Sequence, residues 1–203
     1  MSGEEDLRMS CPVCEDGKLI VKSILYSVPF FNELAMFNME CPECGFAHND
    51  VFSAEQRKPS RWTLEVADEF MLRIRVIRSG SGTIHMPEFG IDIVPGPGAE
   101  AFISNVEGVL SRTRPVVESA IHFAETDEQR ARGREVLDMI DKALDGDFRF
   151  SLIIEDPAGV SGILPDNLTL VKYEELSEEE ASQLHGAPMW LDTVREEYKE
   201  RKG

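Results

Sequence analysis

The sequence lacks any long apolar run. No stretch of its 203 residues approaches the roughly 20 consecutive apolar residues that a membrane-spanning helix needs. The stretch Met1–Asp6 is largely polar and acidic, whereas a secretory signal begins with basic residues and continues with apolar ones. We therefore expect a cytoplasmic protein.

Clusters of basic residues are also scarce. The chain has 38 Asp and Glu against 21 Lys and Arg, and its formal net charge is −17. Proteins that grip nucleic acid through its phosphates need clustered Lys and Arg, because the release of condensed counterions drives that binding. The composition therefore disfavours polyanion binding as a main activity, with one small basic group at Arg57, Lys58 and Arg61 as a local exception.

Residue patterns typical of catalytic sites are missing as well. His85, His122 and His185 are scattered and have no partner at ligand spacing. The segment Gly96–Gly98 is not followed by the Gly or Lys of a phosphate-binding loop, and Ser161 follows a turn sequence, not a nucleophile elbow. We therefore expect a protein without enzymatic activity.

Cysteine is rare but concentrated near the N-terminus. The four cysteines form two Cys-x-x-Cys pairs, Cys11 with Cys14 and Cys41 with Cys44, separated by 26 residues. Zn²⁺ prefers a tetrahedral shell of such thiolates, and disulfides are unusual in a reducing compartment. The spacing predicts a structural zinc ribbon with all four cysteines as ligands. Iron in a rubredoxin-like site, as in an iron electron carrier, is the alternative, because paired Cys-x-x-Cys-Gly turns also hold iron.

The hydrophobic pattern divides the chain into four segments. They are a disordered arm over residues 1–10, the zinc ribbon over 11–58, a β-rich domain over 59–176 and a helical C-terminal tail over 177–203. Within the β-rich domain, apolar residues at helical spacing predict a helical hairpin over about 101–145. A capping box at Thr126 and Gln129 marks the start of its second helix, and Pro115 is expected to end or kink the first.

Period-two alternation predicts strands before and after this hairpin. In the ribbon they cover residues 19–26, 34–39 and 49–53. In the β-rich domain they cover residues 62–66, 71–77, 83–86, 91–94, 148–154, 161–164 and 168–173. Ser177 with Glu180 predicts a cap for a short helix after the last strand. The fold class is therefore α+β, mainly β.

The loop of the ribbon contains two adjacent aromatic residues, Phe30 and Phe31, after Pro29. In an extended segment their side chains point in opposite directions. One interpretation is that both cover the small core of the ribbon or its junction with the next domain. The functional interpretation is that one ring stays exposed as an anchor for a partner, since such anchors concentrate binding energy.

Several short motifs together form a recognisable pattern. They are Cys11-Pro-Val-Cys14, Pro29-Phe-Phe31, Cys41-Pro-Glu-Cys-Gly-Phe46, Met86-Pro-Glu-Phe89, Asn105-Val-Glu-Gly-Val-Leu110 and Asp156-Pro-Ala-Gly-Val-Ser161. With them the chain resembles the ZPR-type zinc-finger family, in which a zinc finger is joined to a so-called A domain. The resemblance covers nearly the whole chain. Because eukaryotic members carry two such units in tandem and this chain carries one, it is similar to the single-unit archaeal form.

This resemblance implies a fold and a function. The fold is a zinc ribbon followed by a β-sandwich or double-stranded β-helix that carries a helical hairpin. The function is protein binding, with translation elongation factor 1-alpha as the partner and assistance in its folding as the role. Glu88 and Glu107 are candidate polar contacts. The favoured interpretation of both is structural, with Glu107 pairing with Arg112 on a helix or satisfying a turn. A nucleic-acid-associated zinc ribbon of the transcription or translation machinery is the alternative function.

Overall fold

The structure is a computed structural model. It describes residues 9–14, 17–28, 32–53, 57–96 and 99–184. These residues form a four-stranded ribbon followed by a two-sheet domain that carries a helical hairpin. In the described part of the chain, every helix is too short or too polar to cross a bilayer.

The ribbon is an antiparallel sheet whose strands follow chain order. They are β1 (Met9–Ser10), β2 (Lys18–Val28), β3 (Asn32–Glu40) and β4 (Ala47–Ser53). The three strands predicted for the ribbon are confirmed. Met9 and Ser10, predicted to belong to a disordered arm, instead pair with Leu19 and Lys18. The cause is local, because Cys11 donates its N–H to the carbonyl of Gly17 at 2.9 Å and so brings the preceding residues alongside β2.

Two further sheets form the sandwich domain. Its strands are β5 (Ser60–Val66), β6 (Arg75–Arg78), β7 (Thr83–Met86), β8 (Ile91–Ile93), β9 (Phe102–Asn105), β10 (Phe150–Asp156), β11 (Gly162–Leu164) and β12 (Val171–Glu175). One sheet has the order β12-β5-β10-β7-β8 and the other β11-β6-β9, and all neighbours are antiparallel. The alternation that predicted these strands matches their burial, since Trp62, Leu64 and Val66 of β5 are buried.

Two predicted strands begin at least three residues later in the structure. Residues Glu69–Arg73 form a 3₁₀ helix, and the predicted strand 71–77 begins only at Arg75. The side chain of Asp68 accepts a hydrogen bond from the N–H of Met71 and so caps that turn. The predicted strand 168–173 likewise begins only at Val171, because Asn167 caps a 3₁₀ turn before it. In both places a capping side chain prevails over the alternating pattern.

The helical hairpin consists of α1 (Val106–Phe123) and α2 (Asp127–Leu144). Its predicted start near residue 101 is wrong, since the preceding residues form β9 and Asn105 caps α1 by accepting from the N–H of Gly108. Pro115 does not end α1. The helix continues for two turns because tertiary packing of its apolar face stabilises it more than one backbone hydrogen bond does. The predicted capping box before α2 is confirmed.

The chain after β12 continues into α3 (Glu178–Gln183). Its predicted capping box, formed by Ser177 and Glu180, is confirmed. The rest of the predicted helical tail, from residue 185 onward, lies outside the described residues.

The two sheets and the hairpin share one apolar core that also includes residues of the ribbon. Leu34 of β3 and Val51 of β4 are buried in the same cluster as the sandwich residues. The N–H of Ala101 donates to the carbonyl of Asn49 at 3.0 Å. One face of the ribbon is therefore fixed against the sandwich domain, and the other faces away from it. Since a strand rises about 3.3 Å per residue, the end of β2 at Val28 lies far from the cysteines.

Candidate metal centre

The four cysteine sulfurs converge at one end of the ribbon. The Sγ atoms of Cys11 and Cys44 are 3.7 Å apart, as are those of Cys14 and Cys41, and all four lie within 4.8 Å of one another. A tetrahedron with metal–sulfur bonds of about 2.3 Å has sulfur–sulfur edges of about 3.8 Å. The geometry therefore fits one Zn²⁺ with four thiolates. It does not fit a disulfide, whose sulfurs are about 2.05 Å apart.

Backbone turns hold the sulfurs in this arrangement. The N–H of Val13 points at the Sγ of Cys11 at 3.4 Å, which favours the negatively charged thiolate. In the second turn, Gly45 donates to the carbonyl of Cys41 at 2.9 Å and has a positive φ of 74°. A residue with a Cβ is strained in that conformation. The trailing glycine of the Cys-x-x-Cys-Gly sequence is thus required by the turn that aims two sulfurs at one point.

Gly17 is a residue of this site that sequence reasoning missed. A Cβ at this position would lie 2.5 Å from the Sγ of Cys14 and 2.6 Å from that of Cys41. The backbone at residue 17 thus forms one wall of the sulfur cluster, and only glycine leaves room for the thiolates. No pattern in the sequence marks this glycine, because the close approach exists only after the two cysteine turns have met.

Gly17→Ala is expected to weaken metal binding by about tenfold or more, because the added methyl displaces two of the four ligands. The measurement is competition for zinc with a chromogenic chelator. Gly96→Ala is the matched control, since nothing lies within 4 Å of a Cβ built there. Equal zinc affinity in the two variants would show that the sulfurs can move aside without loss.

Neighbouring groups shift the pKa values of Cys11 and Cys14 in opposite directions. The side-chain hydrogen bond with Cys44, followed by burial, raises the pKa of Cys14 to about 12. Burial also acts to raise the pKa of Cys11, but N–H donors from Cys14 and Val13 outweigh it and bring that pKa to about 7. Zinc binds thiolates, so protons must leave when the metal binds, and affinity falls as the pH is lowered.

A small apolar cluster surrounds the sulfurs. Cys11, Leu19 and Cys41 are buried, and four partly buried residues pack against them: Cys14, Val21, Met39 and Phe46. Two buried thiols and one leucine make too small a core to fold a sheet without help. The ribbon therefore depends on the metal as well as on its contact with the sandwich domain.

The remaining predicted site residues lie elsewhere. Phe30 and Phe31 fall outside the described residues. Glu88 lies on the sandwich domain, where its carboxylate accepts hydrogen bonds from the N–H and the Oγ of Ser151 at 2.9 and 2.8 Å. Glu107 is exposed in the first turn of α1. The predicted pairing of Glu107 with Arg112 does not occur, because Arg112 donates to Ser104 and to the carbonyl of Gly108.

Apolar side chains are exposed on the ribbon away from the cysteines. Leu25 of β2 is 68% exposed and Phe52 of β4 is 51% exposed. Both lie opposite Ala35 of the intervening strand β3, on the face that points away from the sandwich domain. The ring of Phe52 packs edge-on against that of Phe37, with centroids 5.5 Å apart. The functional interpretation of the sequence offered one exposed ring at Phe30 or Phe31, which lie outside the described residues, whereas the structure shows exposed apolar side chains on β2 and β4.

Comparison with known proteins agrees with this architecture. Residues 5–59 match the ZPR1 zinc-finger domain, and residues 71–185 match the ZPR1 jelly-roll domain. The chain belongs to the ZPR1 family. It is 38% identical to a ZPR1-like protein of Methanocaldococcus jannaschii over 91% of this chain and 92% of that protein. It is 37% identical to a ZPR1-like protein of Pyrococcus horikoshii over 91% of this chain and 83% of that protein.

A eukaryotic ZPR1 relative is matched over a much smaller share of its own length. The zinc finger chaperone zpr1 of Schizosaccharomyces pombe is 28% identical over 81% of this chain but only 38% of its own length. One zinc finger with one jelly-roll domain is therefore the single-unit, archaeal-like form of ZPR1. The family and the sulfur geometry together confirm the predicted cofactor, Zn²⁺. The predicted fold class, α+β and mainly β, is confirmed as well.

Proposed function

We propose that this protein is a non-enzymatic binding module that holds translation elongation factor 1-alpha and assists its folding. The observation that carries the proposal is the apolar surface on the ribbon, with Leu25 and Phe52 more than half exposed. A contiguous exposed apolar patch on a folded protein is typical of a binding site for another protein. The family relative in S. pombe is called a zinc finger chaperone, which supports the same role.

The metal centre favours a mechanical role over catalysis. Four thiolates close the tetrahedral shell of Zn²⁺ and leave no position for a water molecule or a substrate. The zinc ion therefore folds the ribbon, and the ribbon presents its apolar side chains to the partner. The proposal places the protein in the cytoplasm, where thiols stay reduced and available to the metal.

The negative net charge of the chain favours a basic partner. A net charge of −17 attracts a basic partner over long range and accelerates its association. The same charge opposes the alternative function, a zinc ribbon that binds nucleic acid, since phosphates are repelled. Tight, salt-sensitive binding to RNA or DNA in a filter assay would favour the alternative over protein binding.

The test uses newly synthesised elongation factor 1-alpha from a cell-free translation reaction. Phe30→Ala combined with Phe31→Ala is expected to weaken its capture by about tenfold or more, because aromatic anchors carry a large share of binding energy. Phe70→Ala is the matched control, since this phenylalanine is 78% exposed on the sandwich domain, away from the ribbon. If the zinc-loaded protein with an intact ribbon captures no elongation factor, the proposal is wrong.

A further inference from the structure

In the part of the chain that the structure describes, the outer edge of β2 is unpaired along most of its length. On one side β3 pairs with every residue from Ile20 to Val28. On the other side β1 covers only Lys18 and Leu19. Within the described ranges, no strand lies beside the outer edge of residues 20–28.

The register shows which backbone groups this edge offers. In antiparallel sheets, residues alternate between hydrogen bonding to one neighbour and to the other. The hydrogen bond from Cys11 to Gly17 sets the phase, so Leu19 and every second residue after it direct N–H and C=O outward. The bond from Cys41 to Phe46 leads to the same result. It shows that Cys41 and every second residue before it in β3 bond to β4, so the residues between them bond to Ile20, Lys22 and the other even-numbered residues of β2. The outward-directed residues are therefore Val21, Ser23, Leu25 and Ser27.

The side chains along this edge are exposed on both faces of the sheet. Residues 22–27 are all exposed, and Ile24, Leu25 and Tyr26 among them are 54%, 68% and 39% exposed. Natural proteins usually protect an edge with several charges, a proline or a bulge, because an open apolar edge recruits further strands. Here Lys22 is the one charged residue in residues 20–28.

We propose that this edge binds an extended segment of the client polypeptide as an added β-strand. The proposal rests on the proposed protein-binding function and names its mode. A row of outward N–H and C=O groups at strand spacing is matched by an extended backbone, while side chains on alternate positions supply specificity. Ile24 and Tyr26 on one face and Leu25 on the other contact those side chains. The edge therefore selects segments with alternating apolar residues.

Charge distinguishes a client from a second copy of this chain. The described ribbon residues include the lysines Lys18 and Lys22 against four carboxylates, Glu33, Glu40, Glu43 and Asp50. The whole chain carries a net charge of −17, so two copies repel each other while a basic segment is attracted. The occupant is thus a basic, β-prone segment that has not yet joined its own sheet, and its capture keeps that segment from aggregating.

The test follows amide hydrogen exchange in the ¹⁵N-labelled full chain by NMR. The probe is the synthetic peptide Lys-Val-Thr-Val-Lys-Val-Thr-Val-Lys. On peptide addition, the exchange rates of four amides are expected to fall by at least about tenfold, because these amides gain hydrogen bonds. They are the amides of Val21, Ser23, Leu25 and Ser27. The amides of Lys22, Ile24 and Tyr26 already bond to β3 and are expected to change little. The same peptide with Glu in place of Lys is expected to bind more weakly.

Two variants at one position isolate the backbone from the side chains. Ser23→Pro removes one outward N–H and leaves the bonds to β3, and proline is tolerated at such edge positions. It is expected to lower peptide affinity about tenfold, whereas Ser23→Ala keeps the N–H and the affinity. Zinc content and exchange at the amides of β3 and β4 verify that both variants are folded. Equal affinity in two folded variants overturns the proposal.

Other results also overturn the proposal. Peptide binding without the alternating protection means that a face of the ribbon binds, and absence of peptide binding means that the edge is closed. Protection that is present without peptide and rises with protein concentration assigns the edge to a second copy. Protection that is lost when residues 1–8 are removed assigns it to the N-terminal segment. Capture of elongation factor 1-alpha by folded Ser23→Pro at the unaltered level would leave the proposed function standing while strand addition fails.

Discussion

Removal of zinc with a chelator is expected to unfold β2, β3 and β4 while the sandwich domain stays folded. The ribbon has only three buried residues around the sulfurs, Cys11, Leu19 and Cys41. Zinc binding to such sites contributes roughly 10–16 kcal/mol in apparent terms, and that free energy is folding free energy. The sandwich domain holds most of the larger core and needs no metal for its own packing.

Hydrogen exchange measured by mass spectrometry separates the two regions. After chelation, the exchange rate of peptides from β2 and β3 is expected to rise by at least about a thousandfold. The exchange rate of peptides from β5 and β10 is expected to change little. Restored protection on addition of zinc shows that the loss comes from the metal. Unchanged exchange in β3 after chelation would mean that the packing of Leu34 and Val51 against the sandwich domain holds the ribbon without metal.

Asp156→Asn is expected to lower the free energy of unfolding by about 3–5 kcal/mol, as when one partner of a buried charged network is removed. Asp156 is fully buried at the end of β10. Its Oδ2 accepts from the N–H groups of Val160 and Ser161 at 3.0 and 2.7 Å, and its Oδ1 accepts from the N–H of Ala158 at 2.8 Å. Either orientation of an asparagine amide therefore sets its NH₂ group against a backbone N–H.

Three hydroxyl groups complete this network, and the charge of a neighbouring arginine interacts with it. The side chains of Ser79, Ser81 and Ser161 donate to the same carboxylate at 2.8, 2.6 and 2.7 Å. Burial lowers the pKa of Arg78, and the negative charge of Asp156 opposes that effect. Loss of the charge at position 156 thus also leaves a buried guanidinium with less compensation.

Urea unfolding provides the measurement for Asp156→Asn. With a slope of about 2 kcal/mol per molar urea, the expected loss shifts the midpoint downward by about 2 M. Asp166→Asn is the matched control, because Asp166 is exposed and its substitution is expected to cost less than about 0.5 kcal/mol. An equal midpoint for the two variants would show that the hydroxyl groups reorient and satisfy the amide.

The metal centre was predictable because its signal is local. Two Cys-x-x-Cys turns bring paired sulfurs together by themselves, and the chain between them needs only to reverse direction, which it does between β2 and β3. The capping boxes at Thr126 and Ser177 were predictable for the same reason, since each is made by residues three positions apart. The 3₁₀ turn after Asp68 was missed because the apolar residues that follow it alternate as a strand would, and the capping side chain decided the conformation.

The sequence by itself determined the zinc ligands, the order of strands and helices, and the family of this protein. Tertiary structure alone decided three features that concern the metal site, the stability and the proposed binding mode. Gly17 became part of the metal site when two distant turns met, and Asp156 became a buried acceptor when β10 packed beside the loop after β6. Among the described residues, the edge of β2 stays unpaired beyond Leu19 because β1 covers only two positions. The first two depend on contacts between residues far apart in the chain, which no local pattern records.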